Sequence, residues 1–343
     1  MPRADGRSTK GARVKAILWT AYGGPEVLQP GTLPDPVPKD NDIIIEVYAT
    51  TATAGDTEMR SLRLPHFLRL PLRLYFGVRR PRRGRVLGQE LAGRVVQVGS
   101  GVRKFSPGDR VFGAPGMRLG AYAEYTCCSL EKGEAAIAPI PESVSFEEAA
   151  ASVVGGLESL HFLRRAELGA GRSLLVNGAG GSIGSFAVQL GRHFGAEVTA
   201  VDSAGKLDML RGLGADHVID HTTENFVRSS RRYDAVLDMV GGAAFGRCLR
   251  VLKPGGSYLM ANPSLPNMLR GLLLPLHSRK RVLRGSWAQR AEDLQYLAGL
   301  LAEGKILAVI DRRFPLRDAA DAHRYAESGE KRGNVILTVR AEE

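Results

Sequence analysis

The stretch 176–190, VNGAGGSIGSFAVQL, decides how this chain reads. It sets Gly178, Gly180, Gly181 and Gly184 close together and then turns apolar with helical spacing. A short buried strand over 173–177 runs into these glycines, and a helix opens near Ser182 and Ile183. Glycines allow a tight turn and let a pyrophosphate come close to the backbone. The helix N-terminus adds unpaired amides and the positive end of its dipole. The spacing is Gly178-x-x-Gly181-x-x-Gly184 rather than GxGxxG, and a purely structural glycine turn has the same composition. Context separates the two readings. The next strand, EVTAVD, ends on Asp202, where an acid would meet the ribose hydroxyls of a dinucleotide. Later strands end in DMVGG or follow the turn KPGG, so their ends collect at the carboxyl edge of one sheet. No GxxxxGK[ST] loop is present, which excludes the usual nucleoside triphosphatase cradle.

Outward from that stretch, two styles of sequence meet near residue 139. Beyond it, strands alternate with helices, the pattern of a doubly wound parallel sheet. Ser145, just ahead of two glutamates and an apolar run, is expected to cap the first helix there. Before it lie short β runs, VKAILWT, IIIEVYATT, LAGRVVQVG and AYAEYTCCS, with PGTLPDPVPKD as a loop. The last part is expected to run helix, loop, helix and edge strand, outside the second sheet.

With 343 residues, 44% of them hydrophobic and 24% charged, the chain has the composition of a globular protein of two domains. No apolar run has the length of a membrane span, and the basic, polar first residues do not read as a secretory signal. Cys127, Cys128 and Cys248 are too few for a disulfide framework, and a reducing, cytoplasmic setting is expected. The net charge of +11 is uneven: residues 60–85 carry nine arginines and no acid. That density could meet an anionic membrane surface or nucleic acid, but aromatic residues are too sparse there for a base-stacking platform. A solvated surface loop or lid is the plainer expectation.

The segments AYGGPEVLQ, GQELAGRVVQVGSGVRKFSPGDRVFG, GAYAEY, NGAGGSIGSFAVQL, GLGADHVID, LKPGG and AHRYAESGEKRGNVIL together resemble the medium-chain dehydrogenase/reductase superfamily over nearly the whole chain. The resemblance implies a GroES-like β domain interrupted by a Rossmann domain. The expected division is 1–138, 139–284, and a return to the first domain over 285–343. Zinc-dependent members place a thiolate where this chain has Thr53 and Gly-His-Glu where it has Gly88-Gln89-Glu90. Neither Thr nor Gln suits zinc, so no metal is expected and the chain resembles the zinc-independent quinone oxidoreductase-like branch. There the cofactor carries the chemistry and the protein supplies orientation and a dry cleft. Glu90 is then expected to be structural, paired with a nearby cation.

The resemblance implies hydride transfer from NADPH or NADH to a quinone, enone or similar activated carbonyl. Alternatives are an alcohol/aldehyde dehydrogenase, or a cofactor-loaded protein binding a membrane or nucleic acid. Thr53 stands where relatives carry asparagine, and its hydroxyl is the candidate catalytic group; Asp56 is expected to buttress the loop. The cofactor would sit on Gly178, Gly180, Gly181, Ser182, Ile183 and Gly184, with Asp202, Ser203 and Lys206 at the ribose end. His221 would take the place of a tyrosine that relatives carry there. Asp202 points to NADH, whereas Ser203, Lys206 and the branch point to NADPH and tip the reading that way. A homodimer joined through sheet edges is the family expectation.

Overall fold

The computed structural model describes residues 13–64, 66–82, 85–132, 134–241, 244–261, 267, 279–284 and 290–342. The basic residues before 13 and Arg83 of the arginine segment lie outside them.

The first sheet grows from the β runs of the N-terminal part. β1 (Arg13–Trp19) and β2 (Leu28–Pro34) form an antiparallel ribbon with Trp19 opposite Leu28. This corrects the loop expected at PGTLPDPVPKD: its first residues are strand. Pro30 is tolerated because β2 pairs on one side only, where a missing N–H costs no ladder bond. β3 (Asp42–Thr51), β4 (Leu91–Val98), β5 (Arg110–Ala114), β6 (Tyr125–Ser129) and β7 (Ala136–Pro139) follow. Two helices interrupt them, α1 (Ala54–Ser61) and α2 (His66–Phe76). The expectation of a loop over residues 60–85 is therefore corrected in part. Leu72 and the buried Phe76 seat α2 against the cluster around Trp19.

From α3 (Phe146–Arg165) onward the parallel sheet is built from β8 (Ser173–Asn177), β9 (Glu197–Asp202), β10 (His217–Asp220), β11 (Tyr233–Asp238), β12 (Leu252–Met260) and β13 (Arg281–Leu283). Their order is β10-β9-β8-β11-β12-β13, so the winding reverses between β8 and β11. That is the point where doubly wound sheets open a ligand crevice. KPGG is not a turn before β12 but a bulge inside it, where the β11–β12 register slips and Gly255 takes φ +80°. α4 (Ser182–His193), α5 (Leu207–Gly212), α6 (Ala244–Arg250), α7 (Ala291–Ala302) and α8 (Ala319–Glu327) complete the helices described.

β14 (Ile310–Pro315) and β15 (Asn334–Thr338) return to the first sheet, whose order is β14-β15-β3-β4-β5-β7. The first half of β3 pairs β6 and its last residues pair β15. The final strand is thus interior, not the edge expected from the sequence; β14 takes the edge.

α3 ties the two sheets together. Ser145 caps it as expected: its Oγ accepts from Glu148 N at 3.2 Å, and Glu148 returns a bond from Ser145 N at 3.0 Å. Its apolar residues share one core with Ala92 and Phe112 of the first sheet and Leu174, Val176 and Leu237 of the second. The two sheets therefore share one continuous core.

Candidate active site

The glycine turn leaves the switch point with its amides arranged by the protein itself. Gly178 has φ +86°, a left-handed conformation that favours glycine, and Gly178 and Ala179 both donate to Val201 O. A Cβ on Gly184 would sit 2.5 Å from Gly178 O, so this glycine closes the helix onto the turn. A Cβ on Gly181 would meet nothing within 4 Å, so its surface faces open space at the start of α4. Ser182 Oγ donates to Asn334 Oδ1 at 2.5 Å, and Ile183 O accepts from Ser159 Oγ at 2.7 Å. From the other side Gly333 N donates to Gly180 O at 2.8 Å. The C-terminal segment thus pins the turn, while Gly181 and the helix end remain open to a ligand. Backbone amides at a helix N-terminus of this kind are the groups that bind an anion such as a pyrophosphate.

A cavity of about 680 Å³ runs from Asn177 and Gly178 past Asp202, Ser203 and Lys206 to His221 and Arg247. Asp202 is mostly buried and its oxygens are occupied. Oδ2 accepts from Gly180 N at 2.7 Å, Oδ1 from Ser203 N at 2.8 Å, and Lys206 Nζ lies 3.4 Å from Oδ1. Lys206 Nζ also donates to Gly329 O at 3.1 Å. His221 is exposed at the rim, its backbone N held by Asp202 O.

The corner where α1, residues 88–90 and α3 meet holds buried acids. Thr53 caps α1 and spends its one hydroxyl proton on Asp56 Oδ2 at 2.6 Å, while Asp56 N donates back to Thr53 Oγ1 at 2.9 Å. Asp56 Oδ1 accepts from Gly88 N at 3.1 Å, so this carboxylate buttresses the loop before Gln89. Burial pushes Asp56 up to about 6, against the pull of its hydrogen bonds. Glu90, wholly buried, accepts from Thr51 Oγ1 and, at 2.6 Å, from Val154 N. Burial lifts it to about 7, while Lys331 is the nearby cation that lowers it. Lys331 in turn is pushed down to about 8 by burial.

Two features here were not drawn from the sequence. Gln89 Nε2 is buried without a hydrogen-bond partner among the described residues, lying against Gly55 in the first turn of α1. Glu158, half-buried on α3 one turn beyond Val154, is raised to about 7 by burial and then by the charge of Glu58. Neither signal exists before the chain folds, because both depend on what the tertiary structure leaves unpaired.

These residues do not fit zinc. Thr53 and Gln89 offer no thiolate or imidazole, and Asp56 is consumed by three protein donors. Cys127 and Cys128 pair across β3 with Ile44 and Ile43, and Cys248 is buried on α6. Among the described residues no group of three or more His, Cys, Asp or Glu is placed to hold a metal.

Comparison with known proteins agrees with this architecture. Residues 39–151 match the alcohol dehydrogenase GroES-like domain, and residues 213–337 match the family described as zinc-binding dehydrogenase. The chain is 32% identical to the 2-methylene-furan-3-one reductase of Solanum lycopersicum, over 95% of this chain and 79% of that one. It is 32% identical to the quinone oxidoreductase of Pseudomonas aeruginosa, over 94% and 99%. The solved structure of Escherichia coli quinone oxidoreductase complexed with NADPH superposes with a TM-score of 0.81 at 29% identity, covering 94% of this chain and 99% of that one. The chain belongs to the medium-chain dehydrogenase/reductase superfamily, among the NAD(P)H-dependent oxidoreductases of its quinone oxidoreductase-like branch.

Proposed function

We propose that this protein reduces a quinone, enone or similar activated carbonyl acceptor with NADPH and without zinc. The observation that carries the reading is the pairing of an intact dinucleotide cradle with Thr53 and Gln89 at the positions where the zinc branch holds its metal. The relatives' names support the acceptor class, since a 2-methylene-furan-3-one is an α,β-unsaturated ketone. They also make an alcohol dehydrogenase the weaker reading.

When bound, the nicotinamide supplies the hydride. The turn at Gly178, Gly180, Gly181, Ser182, Ile183 and Gly184 orients the dinucleotide and keeps its phosphates on backbone amides. The Gln89 amide, having no partner among the described residues, donates to the acceptor oxygen as negative charge grows there, the task a metal performs elsewhere. Glu158 holds a proton near neutrality for delivery to the reduced acceptor. Thr53 acts through Asp56, as the cap that fixes this corner, rather than through a free proton of its own. NADPH is favoured because Asp202 is engaged by the Gly180 and Ser203 amides and by Lys206, while Arg228, Arg247 and His221 line the same cavity.

The proposed organisation keeps the domain divisions at residues 138 and 284, a homodimer joined through sheet edges, and a cytoplasmic location suited to three free cysteines. Among the described residues no helix is long and apolar enough to cross a membrane.

The test is oxidation of NADPH and of NADH by purified protein with a panel of quinones, α,β-unsaturated ketones and saturated aldehydes, with and without a chelator. Chelator-insensitive turnover confined to the quinones and enones, and faster with NADPH, is expected. Turnover of saturated aldehydes that the chelator abolishes would overturn the reading.

A further inference from the structure

Half of the large hydrophobic side chains exposed among the described residues lie in one short stretch. Phe67, Leu70, Leu74, Tyr75 and Val78 belong to it; Leu70 and Leu74 are 63% and 66% exposed. On α2 the spacing of Phe67, Leu70 and Leu74 places them on one stripe, roughly opposite Phe76, which anchors the helix in the core. A solvated surface helix would carry polar residues on that stripe. This one carries arginines beside it and beyond it.

Arg63, Arg69, Arg73, Arg79, Arg80 and Arg82 are all exposed, and none forms an ion pair among the described residues. Arg69 Nε donates to Leu64 O, and the Arg73 guanidinium lies 5.6 Å from the centre of the Tyr22 ring, which holds both close to the helix. No acid occurs between Glu58 and Glu90 to neutralise them. An apolar stripe flanked by uncompensated cations matches an interface with hydrocarbon beneath and negative charge at its rim.

We propose that the outer face of α2 docks this protein on an anionic lipid surface. Phe67, Leu70 and Leu74 enter the boundary between headgroups and acyl chains, and the arginines lie among the phosphates. A protein partner with an acidic rim would need its own apolar groove, and a nucleic acid would leave the leucines without a role. Charge density and apolar stripe together select the lipid surface. The proposal does not depend on which acceptor the enzyme reduces.

The test is co-sedimentation of the full chain with vesicles of phosphatidylcholine alone or with about 30% phosphatidylserine, at about 0.1 M and about 0.5 M salt. Two paired variants are compared: Leu70→Glu with Leu74→Glu, and Arg79→Glu with Arg80→Glu. NADPH binding verifies that each remains folded. Expected is binding to the anionic vesicles only, lost at high salt and at least about tenfold weaker in either variant. Absence of binding to anionic vesicles overturns the proposal. So does equal binding by the leucine variant, which would mean charge alone is read, as by a nucleic acid. If light scattering shows a dimer that the leucine variant turns into monomer, the face joins two copies of this chain and the proposal is likewise overturned.

Discussion

Asp202 Oδ2 accepts a 2.7 Å hydrogen bond from the Gly180 amide, so the acid at the end of β9 holds the glycine turn. Replacing it with alanine removes a charge-assisted bond from a mostly buried amide. NADPH and NADH should both bind about tenfold more weakly, the loss of roughly 1.5 kcal/mol. Fluorescence titration with the two cofactors measures this. A variant that binds NADPH more tightly and NADH less would show that Asp202 selects the cofactor directly.

Gly181 and Gly184 separate ligand binding from folding within one turn. An alanine at Gly184 drives a Cβ to 2.5 Å from Gly178 O, and should cost about 1–3 kcal/mol of stability, read from urea denaturation. An alanine at Gly181 meets no atom of the described residues and should leave stability unchanged, yet lower cofactor affinity at least about tenfold by obstructing the cradle. Equal stability losses in the two variants would remove the case for a cradle at Gly181.

Thr53→Ala should cost about 1 kcal/mol through loss of the α1 cap, and Thr53→Ser should restore it. Activity should follow stability in both. A serine variant that is stable but inactive would return Thr53 to a direct chemical role.

Gln89→Ala should lower kcat about a hundredfold with a smaller change in KM, because the donor is needed most as charge develops on the acceptor oxygen. Steady-state kinetics with one quinone and one enone checks it. Unchanged kcat would make Gln89 a packing residue.

The buried acids set how stability varies with pH. Asp56 and Glu90 titrate in the folded chain at about 6 and about 7, above their ordinary values, so the native state binds protons that the unfolded state releases. Their contribution is full below their ordinary range and is lost as pH rises through these values. Tm should fall between about pH 5 and about pH 7.5, and Glu90→Gln should flatten that fall. Parallel curves for the two proteins would contradict the assignment. By the same logic turnover should decline as pH rises through about 7, and Glu158→Gln should lower kcat at about pH 6 by a hundredfold or so and abolish the decline.

Much of this molecule is legible in its sequence because the signals are local. The glycine turn, the Ser145 cap and the alternation of strand and helix after residue 139 each depend on neighbours a few positions apart. β2 was not legible, since its proline and glycine disfavour a strand until β1 supplies a partner. α2 was hidden in a stretch rich in arginine, where one of its faces is apolar without being core. Within the site, the sequence shows that Gln89 and Thr53 are poor metal ligands. It does not show that the Thr53 proton is committed to Asp56, or that the Gln89 amide is left without a partner. Those facts arise where α1, the loop after residue 85 and α3 meet.

The central claim is hydride delivery to an activated acceptor with no metal. The decisive experiment incubates exhaustively chelated protein with NADPH carrying deuterium at both nicotinamide C4 positions and a simple enone, and analyses the product by mass spectrometry. One deuterium is expected at the β-carbon, at a rate unchanged when zinc is added back. Product formed only after zinc is restored, or no deuterium at that carbon, would contradict it.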